Sequence, residues 1–114
     1  MRRLSLATVA TLIAVIPACG AEKPTRFWNL ASSTVTDLRL APAGADKFGE
    51  NLCLAAKDKE VEHDERLAIP GLASGQYDAK IGYEDGRLCA VKNLVIEAGQ
   101  VFSVEDKDLV DCVK

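Results

Sequence analysis

Along the chain, apolar residues recur at alternate positions more often than at every third or fourth. Tyr77-Asp78-Ala79-Lys80-Ile81-Gly82-Tyr83-Glu84 is the clearest case, a run in which every second side chain faces a core, as in a β-strand. Asp85-Gly86 follows at once, a tight-turn pair because glycine accepts positive φ, and Leu88 to Ile96 reads as the returning strand. Ala98-Gly99-Gln100 makes the next turn, ahead of a strand over Val101 to Val104. Upstream, Arg26 to Ala31 and Thr34 to Ala41 favour strand on either side of Ser32-Ser33, and Arg66 to Ile69 is a shorter run closed by Pro70-Gly71. Leu109 to Val113 is short and reads as an edge strand, its flanking Asp108 and Lys114 discouraging edge-to-edge pairing. About seven short strands with turn signals between them predict an all-β domain, a single antiparallel β-sandwich.

Two intervals break the pattern. Ala45 to Ala56 admits at most a short helical turn, and Lys57 to Arg66, KDKEVEHDER, alternates charge and offers almost nothing to bury. The latter reads as a solvated loop or hairpin tip.

The first residues are of another kind. Arg2 and Arg3 precede an uncharged, largely apolar stretch from Leu4 to Ile16, the layout of an export signal and too short for a bilayer span. Ile16-Pro17-Ala18-Cys19 resembles the bacterial lipobox, with Pro17 where a small residue is usual. It implies cleavage before Cys19 and lipidation of that cysteine; ordinary cleavage after Ala21, with Cys19 discarded, is the alternative. The expected organisation is therefore a signal peptide over 1–18, a tether over 19–25 and the sandwich over 26–114. Gly20 stands where an inner-membrane retention Asp would be, so resemblance to lipoprotein sorting favours an outer-membrane lipoprotein. A soluble periplasmic or secreted protein is the alternative.

Composition narrows the chemistry. With 14 basic and 17 acidic residues the chain is net negative, and removal of Arg2 and Arg3 makes it more so. Without Lys/Arg runs it suits no nucleic acid, whose phosphates reward clustered cations. In an oxidising compartment Cys53, Cys89 and Cys112 should give one disulfide and one leftover thiol. Cys89–Cys112 is favoured because both lie in late segments expected to be close, with Cys53–Cys89 the alternative; an unpaired Cys53 would be a small buried hydrophobe.

The stretch FWNLASSTVTDLRLAPAGADKFGENL, with its strand ending in Asn, its T-x-x-x-L strand and Phe48-Gly49-Glu50-Asn51-Leu52 closing the loop, resembles a group of small exported bacterial proteins of unknown function. IPGLASGQYDAKIGYEDGRLC is similar to regulatory β-sandwich domains of the carboxypeptidase-regulatory, transthyretin-like kind. The resemblance implies an immunoglobulin-like or transthyretin-like sandwich and export. It brings no catalytic residues with it.

Searched residue by residue, the chain offers little for catalysis. His63 is the only histidine; alone in a charged loop it fixes no metal geometry. Neither a serine nor a cysteine nucleophile has a base nearby in sequence, and no P-loop or dinucleotide fingerprint occurs. In the loop Asp46 to Asn51, the oxygens of Asp46, Glu50 and Asn51 are candidate ligands for a divalent cation such as Ca²⁺; otherwise Asp46 caps a helical turn and Asn51 holds the loop. Phe27 and Trp28 face opposite sides of a strand, so one fills the core while the other is exposed; an exposed Trp would suggest a sugar or partner surface, although Trp in a strand more often packs. The expectation is thus a non-enzymatic envelope lipoprotein, membrane-anchored, that binds another envelope protein or a glycan and needs no cofactor; the alternative is a small-ligand or cation binder using the Asp46–Asn51 loop.

Overall fold

The computed structural model describes residues 23–114, so the signal peptide, Cys19 and most of the tether lie outside the described residues. Seven strands build two sheets: β1 (Thr25–Asn29), β2 (Val35–Pro42), β3 (Arg66–Ile69), β4 (Gly75–Tyr83), β5 (Leu88–Ile96), β6 (Val101–Val104) and β7 (Val110–Val113). One sheet has the order β3-β1-β6 and the other β2-β4-β5-β7. The result is a β-sandwich, antiparallel throughout except that β6 runs parallel to β1, pairing Phe27 with Phe102 and Asn29 with Val104. The parallel pair arises because the chain crosses from β5 to the other sheet through Glu97–Gln100 and enters β6 at the end where β1 begins. Among the described residues the only helices are two 3-10 turns, Leu52–Ala55 and Asp106–Asp108.

Alternation along each strand places the core. Phe27 and Phe102 pack with ring centroids 5.7 Å apart on the inner face of the three-stranded sheet. Leu38, Ile81, Val91 and Ile96 belong to the same buried cluster. Asp85-Gly86 forms the expected β4–β5 turn, with Gly86 at φ 95°, the left-handed region that glycine enters without Cβ strain.

The alternation slips where the β5 ladder gains a residue: Tyr77 pairs Leu94, but Ala79 pairs Val91. Asn93 takes φ 56° there, and its N–H donates to the buried Asp78 carboxylate at 3.0 Å while Gly44 N–H donates to the other oxygen at 3.0 Å. Asp78 thus ties the bulge to the turn after β2. The Gly44 bond first, then the Asn93 bond, hold its carboxyl below the ordinary range, with Lys92 adding to them and burial opposing. A depressed folded pKa stabilises above the unfolded value, about 3.9, and that contribution is lost as pH falls through the folded value. Asp78→Asn is therefore expected to flatten the acid limb of a Tm-versus-pH curve; an unchanged limb would show that this carboxylate is not linked to folding.

The charged run KDKEVEHDER is not a free loop. Val61 is buried and bridges Val35, with Val35 N–H to Val61 O and Val61 N–H to Val35 O both at 2.9 Å. The expectation of a solvated tip is corrected on this point: the lone apolar residue of the run is drawn into the core, and the charges around it face water. Two boundaries also move. The first strand ends at Asn29 rather than Ala31, because Asn29 turns the chain, and the last begins at Val110.

Candidate functional site

β1 places Phe27 in the core and Trp28 half-buried on the outer face of the three-stranded sheet. Register sets Arg66 of β3 directly across from Trp28. The Arg66 guanidinium lies 4.1 Å from the centroid of the indole, a cation–π stack, and the indole N–H donates to Asp64 at 3.0 Å. Asp64 is held in turn: it sits at φ 72° and its own N–H donates to Asn29 O at 2.6 Å, a left-handed position that Asp tolerates better than most residues. His63 Nδ1 lies 2.8 Å from Ala31 O, so its ring braces the turn after β1. Arg26, exposed two residues before Trp28, shares the same sheet face. An aromatic ring, two arginines and a carboxylate are thereby fixed on a rigid sheet surface, the kind of arrangement that loses little entropy on contact with a partner.

The loop Asp46–Asn51 lies along the free edge of β2. Asn51 Oδ1 accepts from Leu38 N–H at 3.0 Å and Cys53 N–H at 2.9 Å, and Nδ2 donates to Thr36 O at 3.2 Å. Its side chain pairs with β2 as a neighbouring strand would, and it also caps the first 3-10 turn. Asn51 therefore holds the loop, as one of its two sequence expectations had it. The cap of that turn is Asn51 rather than Asp46, which lies exposed at φ 58°. Glu50 is also exposed, and the Asn51 oxygen that a cation needs already takes two N–H groups. Among the described residues no group of three or more His, Cys, Asp or Glu is placed to hold a metal ion.

Cys89 and Cys112 form the disulfide, with Cα atoms 4.0 Å apart across β5 and β7. Cys53 is buried and unpaired, so the alternative Cys53–Cys89 bridge does not form. Burial first, and then the nearby Asp37 carboxylate, push the Cys53 thiol up to about 11. At neutral pH it holds almost no thiolate, the form that attacks an electrophile. Tyr83 is buried too, its hydroxyl without a hydrogen-bond partner among the described residues and pushed up to about 12, chiefly by burial, against the pull of Arg87 over its ring.

Sequence patterning placed Trp28 on a strand and Arg66 at the start of another. What it lacked was the register that stacks them, since β1 and β3 are separated by more than thirty residues of chain and by the whole of β2. Compared with protein-family models, with curated proteins and with solved structures, the chain matches none.

Proposed function

We propose that this chain is a non-enzymatic envelope lipoprotein, anchored through Cys19, whose sandwich presents the Trp28 face to another protein of the envelope. The observation that carries the proposal is the composite of Trp28, Arg66 and Asp64: an aromatic ring stacked by a guanidinium at 4.1 Å and fixed by a hydrogen bond at 3.0 Å, on a sheet rather than a mobile loop. Trp and Arg are the residue types that most often dominate binding energy at interfaces. Because Arg66 occupies one face of the indole, a partner meets a ring-and-cation surface rather than a bare ring, which favours a protein over a stacked sugar.

Cross-linking in intact cells, followed by purification and mass spectrometry, should recover one specific envelope protein. For the isolated pair, Trp28→Ala is expected to weaken binding by about 2 kcal/mol, roughly thirtyfold in Kd, with little change in Tm because the side chain is only half-buried. Binding indifferent to both Trp28→Ala and Arg66→Ala would place the interface elsewhere. The anchor is tested separately: protein expressed with its own leader should take up labelled palmitate, and Cys19→Ala should abolish the label.

A further inference from the structure

The two ends of the sandwich differ sharply in charge. At one end lie the segments Glu60-Val61-Glu62-His63-Asp64-Glu65, Glu84-Asp85 and Glu105-Asp106-Lys107-Asp108, which connect the first 3-10 turn to β3, β4 to β5 and β6 to β7, with Arg87 and Lys114 the cations beside Asp85. They are close enough to act on one another: the Glu60 carboxyl is raised by partial burial first and then by the charges of Glu62, Glu84, Asp58 and Glu65. The opposite end is built from Pro70-Gly71-Leu72-Ala73-Ser74, Ala98-Gly99-Gln100 and Pro42-Ala43-Gly44-Ala45, none of which carries a charge. Exposed apolar side chains flank both ends, Val95 at 63% and Val101 at 45% exposure here, one on each sheet, and Leu88 and Val113 beside the β4–β5 turn. The charges near the uncharged end are Lys23, Arg26 and Glu97, with Asp46 and Lys47 beside the Ala45 turn and the buried Asp78 carboxylate, faced by Lys92, beneath Gly44.

The chain enters the domain at this uncharged end. Thr25 Oγ1 accepts from Gly99 N–H at 2.9 Å and Arg26 N–H donates to Gln100 O at 3.1 Å, so the entry point is pinned to the β5–β6 turn. A shallow hollow of about 620 Å³ lies between them, lined by Lys23, Pro24, Pro70, Leu72, Ala98 and Gln100 among others. Only four residue steps separate Cys19 from Lys23, and a fully extended chain spans at most about 3.6 Å for each step. A lipid on Cys19 would therefore hold this end within roughly 15 Å of the bilayer surface, less than the length of the longer strands, roughly 30 Å for nine residues.

We infer that the uncharged end of the sandwich, the turns Pro70-Gly71-Leu72-Ala73-Ser74 and Ala98-Gly99-Gln100 with Val95 and Val101, rests on the lipid surface, and that the carboxylate-rich end points away from it. The inference depends on the lipid anchor proposed above. Two forces set the orientation: the short tether, and the repulsion between the acidic end and anionic headgroups, which falls off within a Debye length of about 10 Å at moderate salt; Val95 and Val101 add apolar contact once the uncharged end is down. The orientation leaves the Trp28–Arg66 pair, which adjoins the acidic end through Asp64, away from the lipid and open to a partner.

The test uses the full-length protein matured in cells and reconstituted in vesicles of phosphatidylethanolamine and phosphatidylglycerol. A donor dye is placed on Ala98→Cys or, separately, on Lys107→Cys, and an acceptor dye on lipid headgroups; the native body cysteines are buried or bridged. Energy transfer is expected to be stronger from position 98 than from position 107, and the excess should shrink when Val95 and Val101 are both changed to Glu. Mass spectrometry of the same preparation reports the N-terminus. Cys19 without lipid would remove the anchor and this inference with it, whereas a lipidated protein with equal transfer from both positions, or stronger transfer from 107, would overturn the orientation and leave the anchor standing.

Discussion

Asn29→Ala is expected to lower the unfolding free energy by about 2–3 kcal/mol, the cost of one buried N–H left without its partner together with the loss of two further bonds to carbonyls. Asn29 is completely buried at the end of β1. Its Nδ2 donates to Val61 O at 2.9 Å and to Ser33 O at 3.0 Å, and its Oδ1 accepts from Ala31 N–H at 3.0 Å. Its backbone joins the same crossing, donating to Glu65 O and accepting from Asp64 N–H. One side chain thus fixes the turn from β1 to β2 and docks the charged run that carries Val61, Asp64 and Arg66. Removing it strands the buried Ala31 N–H and leaves the Val61 carbonyl with the Val35 N–H alone. For a domain of this size the Tm should fall by roughly 4–8 °C per kcal/mol, measured by calorimetry at neutral pH. Asn29→Asp is the informative companion: it keeps the acceptor but cannot donate, and it buries a charge, so it should be no better tolerated than Ala. A Tm within a degree or two of the parent for both would mean that the crossing is held by its backbone bonds alone. The Trp28–Asp64 bond depends on the same docking, so loss of Asn29 should also loosen the proposed binding face, and a partner's affinity should fall even at temperatures where the variant remains folded.

The parts of this architecture that were legible in sequence are those set by short-range pattern. Alternation gave β4, Asp85-Gly86 gave its turn, and the charged flanks of the last segment marked β7 as an edge, where it lies in the four-stranded sheet. Cys89–Cys112 followed from the adjacency of late strands. What alternation could not give is which strands meet across long intervals. The parallel β1–β6 pair joins segments some seventy residues apart, and nothing local in either run specifies a parallel neighbour. Val61 was hidden by its surroundings, since a single apolar residue in KDKEVEHDER carries no period. The cue was its solitude: it is the one apolar side chain between Ala56 and Leu67, in a chain with a small core to fill. Asn51 was half legible, because a loop-holding role was one of its two expectations, but its pairing with Thr36 and Leu38 depends on the loop folding back along β2. The Trp28–Arg66 stack needed cross-strand register, which is a tertiary fact.

The disulfide should matter more to this sandwich than its position at an edge suggests. All four residues of β7 are exposed, so the strand buries little apolar surface of its own. Its ladder to β5 is interrupted between Leu88 and Ala90, where Asp111 supplies the extra residue at φ 54°. Cys89 is buried on β5 while Cys112 is exposed on β7, so the bridge runs from the core outward and fastens an otherwise loosely paired strand. In the chain-entropy account, a bridge across a sequence separation of 23 contributes about 3 kcal/mol. Cys89→Ser with Cys112→Ser is therefore expected to lose about that much stability, with a further penalty for a serine hydroxyl buried at position 89. The damage should be ordered in space: amides of β7 and the facing residues of β5 should lose hydrogen-exchange protection first, while β1, β2 and β4, joined through the Phe27, Leu38 and Ile81 core, keep theirs. Uniform loss of protection across both sheets would mean instead that β7 folds as part of the central cooperative unit. In the native bridged protein Cys53 should stay silent to a thiol reagent until the sandwich opens, because its sulfur is both buried and held up to about 11, so the rate of its labelling in denaturant provides an independent clock for global unfolding against which the release of β7 can be timed.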